Sequence, residues 1–186
     1  MRLYRQTLED FGLYPQMEMD DDAFRNLHTA AGEMSAKMRA VRIVAATSVS
    51  KLDLEQRLIQ KGEDPEHAKD AVQWMSDLSL VDDQKTAELI VQRCIGKGYG
   101  LARAKQALYE KRIPKEYWDR VLDSYPEQTD VIKSFLQANL NAQSDIRQKR
   151  KVIDALIRKG HSYRIVSTCL REMSLDNDEF PEDENG

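Results

Sequence analysis

The sequence predicts an all-α fold, an elongated, curved array of three tandem three-helix repeats. One phrase recurs three times: Arg57-Leu58-Ile59-Gln60-Lys61-Gly62, Ala107-Leu108-Tyr109-Glu110-Lys111-Arg112 and Ala155-Leu156-Ile157-Arg158-Lys159-Gly160. Leu58, Leu108 and Leu156 stand 50 and then 48 positions apart, a period of one small helical unit. Apolar residues keep helical spacing around each leucine: Leu54, Ala104 and Val152 upstream, then Ala68, Trp118 and Val166, Ala71, Val121 and Cys169, and Val72, Leu122 and Leu170 downstream. No stretch alternates with the period of a strand.

In the first repeat, Met38, Val41, Val44 and Ala45 mark a helix over 36–47. Ser50 with Asp53 three positions on reads as a capping box that opens a second helix running to about Lys61. Gly62 supplies the left-handed turn that ends it, and Asp64 with Pro65 forms the cap and first turn of a third helix carrying Ala68, Val72 and Met75. The second repeat opens on Asp82 or Asp83 and carries Ala87, Ile90, Val91 and Cys94 up to Gly96-Lys97-Gly98-Tyr99-Gly100, where three glycines break the helix. Leu101, Ala104 and Leu108 resume the pattern. Pro114 starts a helix with Tyr117, Trp118, Val121 and Leu122, and Pro126 marks its end. The third repeat takes Val131, Ile132, Phe135 and Leu136, then Ile146 to Ile157, then Tyr163 to Met173.

The resulting boundaries are an acidic, partly disordered N-terminal extension (1–33), repeats at 34–79, 80–125 and 126–173, and an acidic disordered tail (174–186). Weak order is expected for Glu18 to Asp22 and for Asn177 to Gly186, where charge is high and apolar residues are few. Phe11, Leu13, Tyr14 and Met17 offer a way for the extension to dock on the array.

The net charge of −4 averages regions of opposite sign. Residues 34–173 carry +6, the first 33 carry −4 and the last 13 carry −6, so a basic body has two acidic ends. Such a body suits a polyanion or an acidic protein groove, a contact the tails would weaken or regulate. No run approaches the roughly 20 apolar residues of a membrane span, and Glu9 and Asp10 close behind Leu8 do not suit a secretory signal. A cytoplasmic protein is expected. Cys94 and Cys169, the only cysteines, lack CxxC spacing and read as reduced, buried thiols.

Catalytic chemistry finds little support. His28, His67 and His161 lack HxxxH or HExxH spacing and read as surface or turn histidines, so no metal is expected. Asp82 and Asp83 fit helix capping. Gly98-Tyr99-Gly100 follows a helix and lacks the third glycine and the lysine of nucleotide loops, so no cofactor is expected. Trp74 and Trp118 lie on apolar helix faces and read as packing.

Basic residues are the remaining signal. Arg57, Lys61, Lys111, Arg112, Arg158 and Lys159 stand near helix C-termini, where cations complement the dipole. That does not explain Arg93, Lys97, Arg103 and Lys105 around the glycine turn. Nor does it explain Arg147, Lys149, Arg150 and Lys151, a run at a helix N-terminus that opposes the dipole and serves either an external partner or an acidic neighbour.

With these residues in view the chain resembles the RecX family, modulators of the RecA recombinase. The likeness covers roughly residues 34–173. It rests on Ser50, Leu54, Leu58, Lys61 and Gly62 in the first repeat, and on Arg150, Leu156, Lys159, Gly160 and Ser162 in the third. In the second it rests on Asp83, Ala87, Arg93, Gly98-Tyr99-Gly100, Arg103, Leu108, Lys111 and Ile113. Arg112 stands where the family's second repeat has glycine, and His161 where its third has an aromatic. The resemblance implies a monomeric, non-catalytic protein of DNA repair, recombination and the SOS response. It would lie in the helical groove of the RecA filament and inhibit its ATPase activity, strand exchange and growth, with weak DNA binding of its own. Arg93, Lys97, Arg103, Lys105, Arg147, Arg150, Arg158 and Lys159 are the expected contacts to acidic protein surface or DNA phosphate. The alternative is a helical-repeat protein that binds DNA directly through its basic face.

Overall fold

The computed structural model describes residues 3–141 and 143–173, so the acidic tail from residue 174 lies outside the described residues. Among the described residues the regular structure is helical throughout: α1 (Arg5–Asp10), α2 (Asp21–Ala46), α3 (Lys51–Gln60), α4 (Pro65–Asp77), α5 (Asp83–Gly96), α6 (Leu101–Glu110), α7 (Trp118–Leu122), α8 (Thr129–Asn139), α9 (Ile146–Arg158) and α10 (Tyr163–Glu172). A single 3₁₀ turn, Lys115–Tyr117, leads into α7. The chain forms two compact units, one running through Thr86 and including Lys111–Pro114, the other comprising Ala87–Glu110 and the residues from Lys115 onward. These units do not follow the repeat boundaries.

In the first unit, α2 packs on α3 and α4, and α1 on α2. The core joins Ala36, Ala40 and Ile43 of α2 to Leu54 and Leu58 of α3 and to Ala68, Ala71, Val72 and Met75 of α4. Alanines on both α2 and α4 let the two helix backbones approach closely. The leucines fill the remaining space, each contributing roughly 1.5–3 kcal/mol on burial. The ends follow the local chemistry. Ser50 Oγ accepts the Asp53 amide at 3.1 Å, and the Asp64 carboxylate accepts that of Glu66 at 2.9 Å behind Pro65.

The acidic stretch around Asp20, expected to be weakly ordered, is instead a helix start. Asp20 accepts the Ala23 amide at 2.7 Å, and Asp21 and Asp22 occupy the first turn, where negative charge complements the dipole. Helix α2 therefore begins upstream of residue 34. Phe11, Leu13 and Met17 are half-buried, whereas Tyr14 is exposed.

In the second unit, α8, α9 and α10 enclose Ile132, Leu136, Leu140, Ile153, Leu156, Val166, Cys169 and Leu170. Helix α5 contributes Ala87, Ile90, Val91 and Cys94, and α6 contributes Ala104 and Leu108, all buried. Asp145 and Gln148 form a reciprocal capping box at the start of α9, the stretch with the cationic run. Helix α7 is shorter than the pattern of Tyr117, Trp118, Val121 and Leu122 suggests. It has five residues, and its apolar side chains are half-buried.

Candidate partner-binding surface

The candidate surface is built on the segment where α5 stops and α6 begins. Gly98 takes φ +67° and the amide of Tyr99 returns to the Cys94 carbonyl at 3.0 Å, closing the end of α5. The chain then meets the end of α9. The Gly100 amide donates to the Lys159 carbonyl at 2.9 Å and the Ala102 amide to the Gly160 carbonyl at 3.1 Å. A Cβ on Gly100 would stand 2.1 Å from the Gly160 oxygen, and one on Gly160 would stand 2.3 Å from the Arg103 nitrogen. Two glycines thus permit one backbone to lie on another.

Polar side chains complete this junction. Tyr125 donates its hydroxyl to the Tyr99 carbonyl at 2.6 Å, and the Gln128 amide donates to the same oxygen at 2.9 Å. Burial drives the Tyr125 pKa up to about 12, with the nearby Cys94 thiol adding to it, so this hydroxyl stays a donor. His161 is 5% exposed and its Nε2 lies 3.1 Å from the Gly98 carbonyl. A carbonyl only accepts, so the proton is on Nε2. The sequence predicts a surface or turn position for His161; it follows the turn at 159–160, and its ring is buried against the Gly98 carbonyl.

Arg93, in the last turn of α5, and Lys97 just beyond it are exposed. With Arg103 they act electrostatically on Cys94, whose thiol pKa is raised by burial and drawn back by the three cations. Arg93, Lys97 and Arg103 thus all lie within electrostatic reach of one thiol. Arg103 is only half exposed and pairs with Glu110 at 3.1 Å, so its guanidinium is partly engaged. Lys105, two residues further along α6 and so on a different face from Arg103, is exposed and borders a groove with Tyr125, Glu127, His161 and Arg164.

On α9, Arg147, Arg150 and Arg158 are exposed, and the spacing places Arg147, Lys151 and Arg158 along one face with Asp154 between them. Lys149 is 6% exposed, so the cationic run is divided: one member is buried within the fold and the others face outward. Lys159 also serves the fold, its ammonium lying 4.5 Å from the centroid of the Phe135 ring. Arg93, Lys97, Lys105, Arg147, Arg150 and Arg158 make no ion pair among the described residues. The Tyr125, Gln128 and His161 network has no sequence signature, because its partners are backbone carbonyls 26 to 63 residues away.

Among the described residues no group of histidine, cysteine and carboxylate side chains is arranged to hold a metal, and no helix is long and apolar enough to cross a membrane. Cys94 and Cys169 are free and buried.

No family model matches the chain. Curated relatives do. A regulatory protein RecX of Xanthomonas axonopodis pv. citri is 25% identical over 142 residues, covering 75% of this chain and 88% of its own length. One from Chlorobaculum tepidum is 26% identical over 140 residues, covering 74% and 87%. One from Clostridium acetobutylicum is 22% identical over 175 residues, covering 89% and 81%. In fold, the chain matches a crystal structure of regulatory protein RecX with a TM-score of 0.70 at 20% identity, covering 89% of this chain and 85% of that one. It matches the RecX structure from Lactobacillus salivarius with a TM-score of 0.68 at 20% identity, covering 79% and 99%. Sequence and fold agree: the chain is similar to regulatory proteins RecX in sequence and shares the helical fold of the solved RecX structures.

Proposed function

We propose that this chain binds the RecA filament on DNA and restrains it, lowering ATP hydrolysis, strand exchange and filament growth. The observation that carries the reading is the cluster of cations beside the glycine junction. Arg93, Lys97 and Lys105 are exposed and unpaired among the described residues, and Arg103 is half exposed and paired with Glu110. Unpaired cations on a rigid backbone junction suit an acidic partner surface, because the charge is already positioned and little side-chain order must be gained on contact. The exposed face of α9, with Arg147, Arg150 and Arg158, extends the same chemistry.

The role asks for contact surface rather than catalysis, and the protein acts as a cytoplasmic monomer without a cofactor. Arg103 and Lys159 contribute less to partner contact than their charge suggests, because Glu110 and Phe135 already engage them. A pull-down against RecA, with and without single-stranded DNA and ATP, tests the reading. Capture only with filaments formed on DNA supports it, whereas capture by DNA alone with no gain from RecA points to direct DNA binding. Capture by neither overturns it.

A further inference from the structure

In the first unit, four cations line one open groove of about 420 Å³: Arg39 and Arg42 of α2, Arg57 of α3, and Lys61 at its C-cap. Ile43 and Ala46 supply an apolar wall, and no acidic side chain lines the groove among the described residues. Two of the cations are held from behind. Arg39 pairs at 2.6 Å with Glu63, a carboxylate 9% exposed that also accepts from Ser35 Oγ at 3.0 Å, and Arg39 donates to the Lys61 carbonyl at 3.0 Å. Arg57 meets Asp53 through two nitrogens, at 3.1 and 3.0 Å. Each guanidinium has five N–H groups and keeps some for a ligand.

Arg42 and Lys61 have no side-chain partner among the described residues. Helix dipoles account for part of this, since Arg57 and Lys61 lie at the end of α3, but the dipole effect fades within one turn. It does not gather two arginines of α2 at the same place.

From this geometry we infer that the groove is an anion site for phosphate esters. Fixed guanidinium forks present N–H pairs to the oxygens of one group, and two unpaired cations supply the net charge. A phosphate has enough acceptor oxygens to meet donors from several sides, where a single carboxylate has two. The phosphate could belong to a nucleic-acid strand or to a free nucleotide, and both present this chemistry. The site lies outside the cations assigned to the RecA filament and does not depend on that reading.

The test uses the full chain without RecA and a fluorescein-labelled oligothymidylate at low salt. Arg42→Gln with Lys61→Gln leaves both ion pairs intact and should weaken binding about fivefold or more. It should also flatten the dependence of log affinity on log salt by roughly 1.4, at about 0.7 per phosphate contact on a single strand. A control of equal charge change, Lys69→Gln with Lys85→Gln, should have less than a twofold effect. Unlabelled ATP as competitor identifies the source: displacement at equal phosphate concentration assigns a free nucleotide, and displacement by oligonucleotide alone assigns the strand. The inference is overturned if the wild-type chain binds neither probe, if the site variant binds as the wild type does, or if the control weakens binding equally.

Discussion

Gly100 and Gly160 lie backbone against backbone, so that the end of α9 is received by the start of α6. The same relationship recurs between the first two copies of the phrase. Ser50, the counterpart of Gly100, donates its hydroxyl to the Lys111 carbonyl at 2.7 Å, as the Gly100 amide donates to the Lys159 carbonyl at 2.9 Å. The first copy's carbonyl, that of Lys61, accepts from Arg39 at 3.0 Å. All three phrase lysines therefore have their carbonyls capped, and the repeated phrase is a device for ending a helix on a neighbour.

Replacing Gly100 with alanine should destabilise the protein by about 2 kcal/mol or more, because the added carbon meets a backbone oxygen that cannot turn aside. Gly62→Ala provides the comparison: its φ is +88° but nothing lies within 4 Å of the new carbon, so only backbone strain of about 1 kcal/mol is expected. Urea unfolding of the two variants checks the order. Equal losses would contradict the close approach.

Arg112 holds φ +54° at the position where Gly62 has +88° and Gly160 has +91°. A side chain in the left-handed region costs roughly 1 kcal/mol relative to glycine. Arg112→Gly should accordingly raise the unfolding free energy by up to about 1 kcal/mol, and a lower value would count against it.

Burial draws the His161 pKa below its ordinary value, the Lys159 charge adds to this, and the bond to the Gly98 carbonyl opposes both. The unfolded chain then binds the proton more readily than the folded one. Stability from this residue is therefore constant above about pH 6.5 and falls as pH drops below that value toward the folded pKa. The difference in unfolding free energy between wild type and His161→Gln should shrink from pH 7 to pH 5. A constant difference would contradict the buried neutral ring.

Both thiols have pKa values raised by burial, Cys94 despite three cations nearby. Ellman's reagent at pH 8 should label them about tenfold or more slower in the native protein than in guanidinium. Prompt labelling of either would mean an open thiol.

Much of the helical order was legible because each boundary carries local chemistry: Ser50, Asp64 and Pro65, and the left-handed Gly62 all stand where the chain signals them. Asp82 and Asp83 show the limit. Asp82 caps its own helix, accepting the Lys85 amide at 3.0 Å, whereas Asp83 accepts the Lys51 amide at 2.8 Å and so caps α3 from 32 residues away. Acidity near Asp20 suggested disorder because composition cannot separate a solvated tail from a dipole-compensated first turn. The cations of the candidate surface were visible as charge. What distinguishes exposed Lys97 and Lys105 from engaged Arg103 and Lys159 is Glu110, Phe135 and Gly160, which the fold supplies.

Steady-state ATP hydrolysis by RecA on single-stranded DNA, titrated with wild type and with a Lys97→Glu, Lys105→Glu variant, tests the central claim most directly. Both lysines are exposed and unpaired among the described residues, so the fold should be unchanged, with an unfolding midpoint matching wild type. The wild-type chain should suppress hydrolysis, and the variant should need about tenfold more protein for the same effect. Hydrolysis untouched by the wild-type chain, or suppressed equally by both, would contradict the account.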